Sequence, residues 1–376
     1  MYDKDAIVFI NQNAGYLMID IIHAHADYPR RTIIAGKLIE RNAKLDKGVK
    51  FEKIIAYNRS SSFKRLFTWS WGFIQILWLV KVRYRKAELF IVTNPPLASL
   101  IPLFVRNVFS LLVYDVYPDA LIAYKKIDSN SLISRFWKKS NKNIFKKAKN
   151  IFTISDGIKK VLCQYIDPDK IKVIPVWTDN SFLKPVPKAE NKFIQNYSLE
   201  NKFLVMYSGN LGHSHPVEVL LEIAAAIKDK DIYFVIIGEG DKQKLIRSLI
   251  EKKSLINCIL LPWQEVEMLP YSLAAADIGV VTLSKESSSL SIPSKTFNLM
   301  SVGVPIMGIA DSASELSNLI NNLQIGKCFH QKDIEQMISF IEFVKSNRDY
   351  KNSLQHNSLL ASKQFGSENA LKFVSV

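Results

Sequence analysis

Short apolar runs recur along the whole chain, and most end on a brief polar or glycine-bearing segment. In the first half they are Asp5–Ile10, Ile33–Gly36, Phe51–Ala56, Leu89–Thr93, Leu111–Tyr114, Ile151–Ile154 and Lys172–Val176. In the second half they are Phe203–Ser208, Tyr233–Ile237, Cys258–Leu261, Ile278–Leu283 and Val304–Ile309. Apolar runs of this length, bounded by turn residues, read as strands buried on both faces. Longer segments with helical spacing fall between them. They include Ser62–Arg83, a segment opened by Asn94-Pro95-Pro96, Pro216–Lys228, Leu269–Ala276 and a helix that starts at Pro293-Ser294-Lys295 and ends at Gly303. Ser155-Asp156-Gly157 is a further helix-capping sequence.

Strands that alternate with helices build parallel sheets. The expected fold is therefore α/β, with two Rossmann-like parallel-sheet domains facing across a cleft. Residues 1–180 form the first domain, 181–187 with its two prolines the linker, and 188–358 the second domain. Residues 359–376 form a C-terminal helix, with packing back on the first domain as an option. Parallel sheets bind ligands at the carboxyl ends of their strands. Gly15, Asp115, Gly209, Asn210, Trp263 and Ser294-Lys295 all follow a predicted strand.

The charge is uneven. Residues 1–187 carry 31 Lys and Arg against 15 Asp and Glu, whereas residues 188–376 carry 19 against 20. The excess is densest over Lys125–Lys149, with nine basic residues and one acid. The aromatic helix Ser62–Arg83, with Trp69, Trp71 and Trp78, is flanked by Lys and Arg. Such a half suits a polyanion or an anionic membrane surface. Core packing accounts for the aromatics equally well. The apolar stretches Leu66–Val82 and Pro95–Tyr114 are interrupted by polar or charged residues, so they are expected to be buried helices and not membrane spans. The first ten residues do not resemble a secretion leader. Three well-separated cysteines argue for a reducing, cytoplasmic setting and against a disulfide framework. Asp167-Pro168-Asp169 imitates a metal-binding Asp-x-Asp pattern, but it lies in a turn before a strand, and no metal is expected. No carboxylate pair placed for glycoside hydrolysis and no Gly-x-Ser-x-Gly elbow is present.

Lys295 changes the picture. A cation in the first turn opposes the helix dipole, and the first-turn N–H groups lack helical partners. An anion held between the lysine and those groups resolves both problems. A helix cap followed by a surface lysine is the plainer alternative.

Taken in order, several segments resemble the family-four glycosyltransferases of the GT-B fold, of the bacterial surface-polysaccharide type. They are Asn94-Pro95-Pro96, Asp115-Val116-Tyr117-Pro118-Asp119, Ser155-Asp156-Gly157, Ser208-Gly209-Asn210-Leu211-Gly212, Gly238-Glu239-Gly240, Ala276-Asp277 and Pro293-Ser294-Lys295 through Gly303-Val304-Pro305. The resemblance covers nearly the whole chain. It implies that the first domain binds an acceptor and the second a nucleotide diphosphate sugar. Transfer would retain the anomeric configuration and require neither metal nor cofactor. Gly209, Asn210, Ser294 and Lys295 would hold the donor diphosphate, and Gly15 would approach it from the first domain. Trp263 and Gln264 would border the base. Asp115 would face the donor sugar as the catalytic residue. Two family glutamates fall at Leu290 and Asn298 here. Asn298 can still bind a ribose hydroxyl, while Leu290 cannot bind a sugar. The family's cation after the Gly-Asn loop is represented by His213 or His215.

The resulting expectation is a cytoplasmic enzyme at the inner face of the cell membrane. It would move a sugar onto a lipid-linked or polysaccharide acceptor and dock on anionic lipid through its basic first half, without a nucleic-acid partner. A sugar-nucleotide 2-epimerase on the same architecture, a basic nucleic-acid-binding protein and an inactive partner subunit are the alternatives.

Overall fold

The computed structural model describes residues 3–41, 43–58, 60–123, 125–213, 215–283 and 292–374. The chain forms two compact units. One runs through Val176 and takes in the chain from Ser367 onward; the other spans Trp177–Gly366.

The first unit holds a parallel sheet of seven strands: Asp3–Ile10 (β1), Arg30–Ala35 (β2), Lys50–Lys53 (β3), Ala87–Val92 (β4), Phe109–Val113 (β5), Asn150–Thr153 (β6) and Ile171–Val173 (β7). Their spatial order is β3-β2-β1-β4-β5-β6-β7, so the chain reverses its direction of winding between β1 and β4. The central strands β4 and β5 are buried along their whole length, which is why they read as continuous apolar runs. One face of the sheet is covered by Ser62–Val82 (α2), the turn Pro96–Leu103 and Leu132–Lys147 (α3). Ile76, Leu79 and Val80, then Ala98 and Ile101, then Ile144 and Phe145 join Leu89, Ile91 and Leu111 in one core. Ser61 and Ser131 cap the two helices by accepting the N–H groups of Lys64 and Ser134, each at 3.2 Å. On the opposite face Tyr16–Ala24 (α1) and the C-terminal turn Ser367–Phe373 pack together. There Phe373 lies against Phe90 and Phe152, with ring centroids 5.9 and 4.8 Å apart.

The second unit holds six parallel strands: Phe203–Ser208 (β8), Ile232–Ile237 (β9), Cys258–Leu261 (β10), Ile278–Thr282 (β11), Ile306–Ile309 (β12) and Gly326–Phe329 (β13). They are ordered β10-β9-β8-β11-β12-β13, with the reversal between β8 and β11. Ser294–Ser301 (α4) lies between β11 and β12 in the chain, and Gly303 follows it with φ +72°. The stretch 181–187, expected as a linker, is anchored on this unit. Leu183 is fully buried, and its carbonyl accepts Ser301 Oγ at 2.6 Å. The helix expected over 359–376 is divided: Arg348–Ser362 (α5) ends in this unit, and the last turn belongs to the first.

Asp277, part of a motif that sequence reading tied to the family, serves the fold. It is 1 % exposed, accepts the Leu204 N–H at 2.8 Å and Lys188 Nζ at 2.5 Å, and also pairs with Lys351 on α5. One carboxylate thereby ties the segment before β8, β8 itself and the C-terminal helix. Replacing it by alanine removes the acceptor of a buried N–H and of Lys351, and leaves Lys188 with the Lys202 carbonyl at 3.2 Å. Because both lysines keep some solvent, the expected loss of unfolding free energy is about 2 kcal/mol, below the range for fully buried pairs. Urea denaturation of Asp277→Ala at an unchanged m-value measures it; a midpoint equal to wild type would contradict the role.

Candidate functional site

The reversal between β8 and β11 is where a parallel sheet opens to a ligand, and the second unit's unusual side chains gather there. Tyr207 near the end of β8 is buried and donates its hydroxyl to the Asn210 carbonyl at 2.7 Å, which folds the Gly209-Asn210 loop back over the strand. Lys295, in the first turn of α4, lays its ammonium 3.8 Å from the centre of the Tyr207 ring. Its Nζ has essentially no accessible surface and, among the described residues, no hydrogen-bond partner. Gly209 leaves room for this contact: a Cβ there would strike Lys295 Nζ and lie 2.8 Å from its Cε, so the lysine would have to move. Gly238, at φ +147°, is required in turn because a Cβ would run into the Gly209 carbonyl. The loops after β8 and β9 are thus pressed together, and Leu211 N–H donates to the Glu239 carbonyl at 2.8 Å.

His215 is the second basic group. Its Nδ1 lies 3.0 Å from the Thr282 carbonyl and 3.2 Å from Thr282 Oγ1, so the loop after β8 is tied to the end of β11. A carbonyl can only accept, so Nδ1 carries the proton and Nε2 is the ring atom left for a ligand. Burial, and then the nearby Lys295 charge, hold the imidazole below its ordinary value. Burial pulls the Lys295 amine down to about 7, although the face of Tyr207 favours its charged form. Two basic groups brought together at a strand end, each held towards its neutral form and with no carboxylate among their described hydrogen-bond partners, form a place where an anion would favour the charged forms. Of the two histidines named from sequence, the structure selects His215; His213 is 81 % exposed and faces Asp241 at 3.7 Å.

The remaining second-unit residues named from the sequence are placed as follows. Ser294 is the exposed first residue of α4, whose N-cap, Pro293, offers no side-chain cap, so first-turn N–H groups stay available. The Thr296 hydroxyl beside them is buried and lacks a described partner. Asn298 accepts the Thr178 hydroxyl at 2.6 Å and is held in place by it. Trp263 follows β10, two strands from β8, which is roughly 10 Å at ordinary strand spacing. It is half exposed, and Gln264 donates to the Pro262 carbonyl at 3.0 Å, fixing the turn that carries both. Leu290 lies outside the described residues.

In the first unit Gly15 caps α1 with an extended backbone, and a Cβ built on it meets nothing within 4 Å. No packing in that unit demands glycine there. Asp115 follows β5. Thr93, at the end of β4, binds its segment from both sides: its Oγ1 accepts the Tyr114 N–H at 3.1 Å and donates to the Asp115 carbonyl at 3.3 Å. Asp115 retains solvent access at its surface, yet the surrounding protein pushes its carboxyl up to about 6, against a hydrogen bond involving Tyr117 that pulls it down. Asp167, from the Asp-x-Asp imitation, instead accepts the Asp169 N–H at 3.0 Å in a turn. Among the described residues no group of three His, Cys, Asp or Glu side chains could hold a metal ion. Sequence reading missed Tyr207, Thr282 and Thr93. Each is an ordinary strand residue in the sequence and acquires its role only when neighbouring strands are aligned.

Residues 188–359 match the family model described as glycosyl transferases group 1. A probable glycosyltransferase of Pseudomonas aeruginosa, WbjE, is 26 % identical over 222 residues, covering 57 % of this chain and 54 % of that protein. A putative colanic acid biosynthesis glycosyl transferase of Escherichia coli strain K12, WcaI, is 24 % identical over 196 residues, covering 51 % and 48 %. The chain thus spans about half the length of these curated relatives. The crystal structure of Anabaena Alr3699/HepE in complex with UDP superposes with a TM-score of 0.74, at 13 % identity and 98 % coverage of both chains.

Proposed function

We propose, from the premise that this chain belongs to the family-four glycosyltransferases with the GT-B fold, that it transfers a sugar from a uridine diphosphate sugar to a glycan acceptor in surface-polysaccharide synthesis. The observation that carries this is the buried Lys295 side-chain nitrogen, without a hydrogen-bond partner among the described residues, beside His215 at the reversal of the second sheet. Breaking a sugar–diphosphate bond transfers negative charge to the leaving group. Lys295, the uncapped start of α4 and His215, whose protonation a bound diphosphate favours, meet that charge as it develops. Gly209, Asn210 and Ser294 border the diphosphate, and Trp263, Gln264 and Asn298 receive the nucleoside. The first unit takes the acceptor, and Gly15 and Asp115 are its contribution to the reaction, which retains the anomeric configuration. The choice of uridine rests on analogy with the UDP in the Anabaena structure, and that of the pathway on the name of the E. coli relative. The acceptor is lipid-linked, and the chain is cytoplasmic and docks on the inner membrane face through its basic first half; no described helix is long and apolar enough to cross a membrane. Matches to named glycosyltransferases favour transfer over the 2-epimerase alternative.

A thermal-shift panel of UDP, GDP and their sugars is the test. A ligand present at ~100 times its dissociation constant adds about 2.7 kcal/mol of stability. UDP and one of its sugars are expected to raise the melting temperature. If no nucleoside diphosphate or nucleotide sugar does so, the donor assignment fails.

A further inference from the structure

Helix α2 is apolar on the wrong side. Its buried side supplies Ile76, Leu79 and Val80 to the core. Its solvent side carries Phe63, Phe67, Trp71, Ile74, Trp78 and Val82, all exposed, with Phe63 at 78 % and Trp78 at 53 %. Their spacing keeps them within one stripe of the helix, about 28 Å long at 1.5 Å per residue. Core packing therefore explains only half of this helix. A surface helix normally turns charge outward, and an exposed apolar patch of this extent marks a contact surface.

The stripe does not stand alone. The turn Pro96–Leu103 packs against both α2 and α3, so the three elements lie side by side on the same sheet face. Phe104, at the end of that turn, meets Phe73 of α2 edge-on at 5.9 Å and is itself half exposed. The first turns of α3 add Leu132 at 82 % exposure, Ile133 and Phe136. Beyond them the solvent side of α3 presents Arg135, Lys139, Lys142, Lys146 and Lys147. Neither helix contains an aspartate or glutamate.

We infer that this layer, α2 with the start of α3, inserts its aromatic and aliphatic side chains into the interface of an anionic lipid bilayer, while the lysines of α3 lie on the headgroups. Docking of this kind rests on the membrane association proposed above and replaces a purely electrostatic attachment by one anchored through α2. The charge pattern selects the occupant. A second copy of the chain would set one all-basic face against another, whereas anionic headgroups neutralise it. Tryptophans within an exposed apolar stripe suit the headgroup boundary. Lys138 is paired with Asp119 at 3.8 Å and is not needed for the contact.

The full chain is sedimented with phosphatidylglycerol-containing and pure phosphatidylcholine vesicles at low and high salt. Wild type is compared with Phe67→Ser/Trp71→Ser/Trp78→Ser and with Lys139→Gln/Lys142→Gln/Lys146→Gln/Lys147→Gln. The UDP-induced thermal shift serves as the folding control, since these side chains lie outside the nucleotide site. Wild type is expected to prefer anionic vesicles and to retain part of its binding at high salt. The aromatic variant is expected to bind at least about tenfold more weakly and to lose the salt-resistant part, while the lysine variant loses the preference for anionic lipid. Quenching of wild-type tryptophan fluorescence by brominated acyl chains, reduced in the aromatic variant, supports insertion. Undiminished binding of the aromatic variant overturns docking through α2 and leaves the electrostatic association standing. Absence of wild-type binding to any vesicle overturns both. A lipid-free dimer dispersed by the aromatic changes overturns the bilayer in favour of a second copy.

Discussion

Lys295→Ala is expected to weaken UDP binding by roughly 2–3 kcal/mol, about 30- to 150-fold, the scale of a charge-assisted hydrogen bond removed from a buried site. The same change should not harm the ligand-free fold, because the ammonium has no described acceptor to lose. Lys295→Met separates the two effects by keeping the volume. Burial holds the amine near 7 in the folded chain, while in the unfolded chain it titrates near the ordinary lysine value of about 10.4. Between those limits the unfolded state carries a proton that the folded state does not, so this group makes stability rise with pH. Lys295→Met lacks that rise and should be more stable than wild type near pH 7, where charging the buried lysine is unfavourable. A bound diphosphate reverses the balance by stabilising the ammonium. UDP affinity should therefore fall as pH rises above about 7, and binding should take up a proton. Calorimetry in buffers of different ionisation enthalpy reads both. Unchanged affinity in a folded Lys295→Ala protein would remove this residue from the site.

The strand pattern was legible because central parallel strands are buried on both faces and leave an uninterrupted apolar signature, as in Ala87–Val92 and Phe203–Ser208. Edge strands leave less. Gly326–Phe329 escaped notice because it is short, carries a lysine and is only partly buried. Lys295 could be singled out because a cation in a first turn is locally out of place. His215 could be named but not separated from His213, since only the pairing of β8 with β11 brings Thr282 beneath its ring. Asp277 shows the opposite case: the sequence marked the position through a family resemblance, while its hydrogen bonds assign it to holding Lys188, Leu204 and Lys351 together. Helix α2 was ambiguous for a physical reason. Composition counts aromatic residues without saying which side of the helix carries them, and here both sides do.

Asp115→Asn is expected to reduce turnover by about 10- to 150-fold while leaving UDP affinity unchanged, the loss of one hydrogen bond to a charged acceptor of roughly 1.5–3 kcal/mol made in the transition state. The motive is its position. Thr93 fixes the backbone on either side of the carboxylate at the end of β5, and the side chain keeps its opening to solvent, where a sugar hydroxyl can reach it. As an orienting acceptor it must be ionised. Its carboxyl is pushed up to about 6 by the surrounding protein, so the ionised fraction is lost as pH falls through that value, within a range where an ordinary aspartate would remain charged. Wild-type turnover should therefore decline as the medium is acidified from pH 7 towards 5, with a midpoint near 6. The asparagine variant cannot titrate at this position and should lack that limb, its rate approaching that of wild type at the acid end. A purely structural part for Asp115, such as capping its loop, would change stability and leave the shape of the pH profile intact. Turnover at the wild-type rate, or an acid limb preserved in Asp115→Asn, would show that another group accepts the hydroxyl.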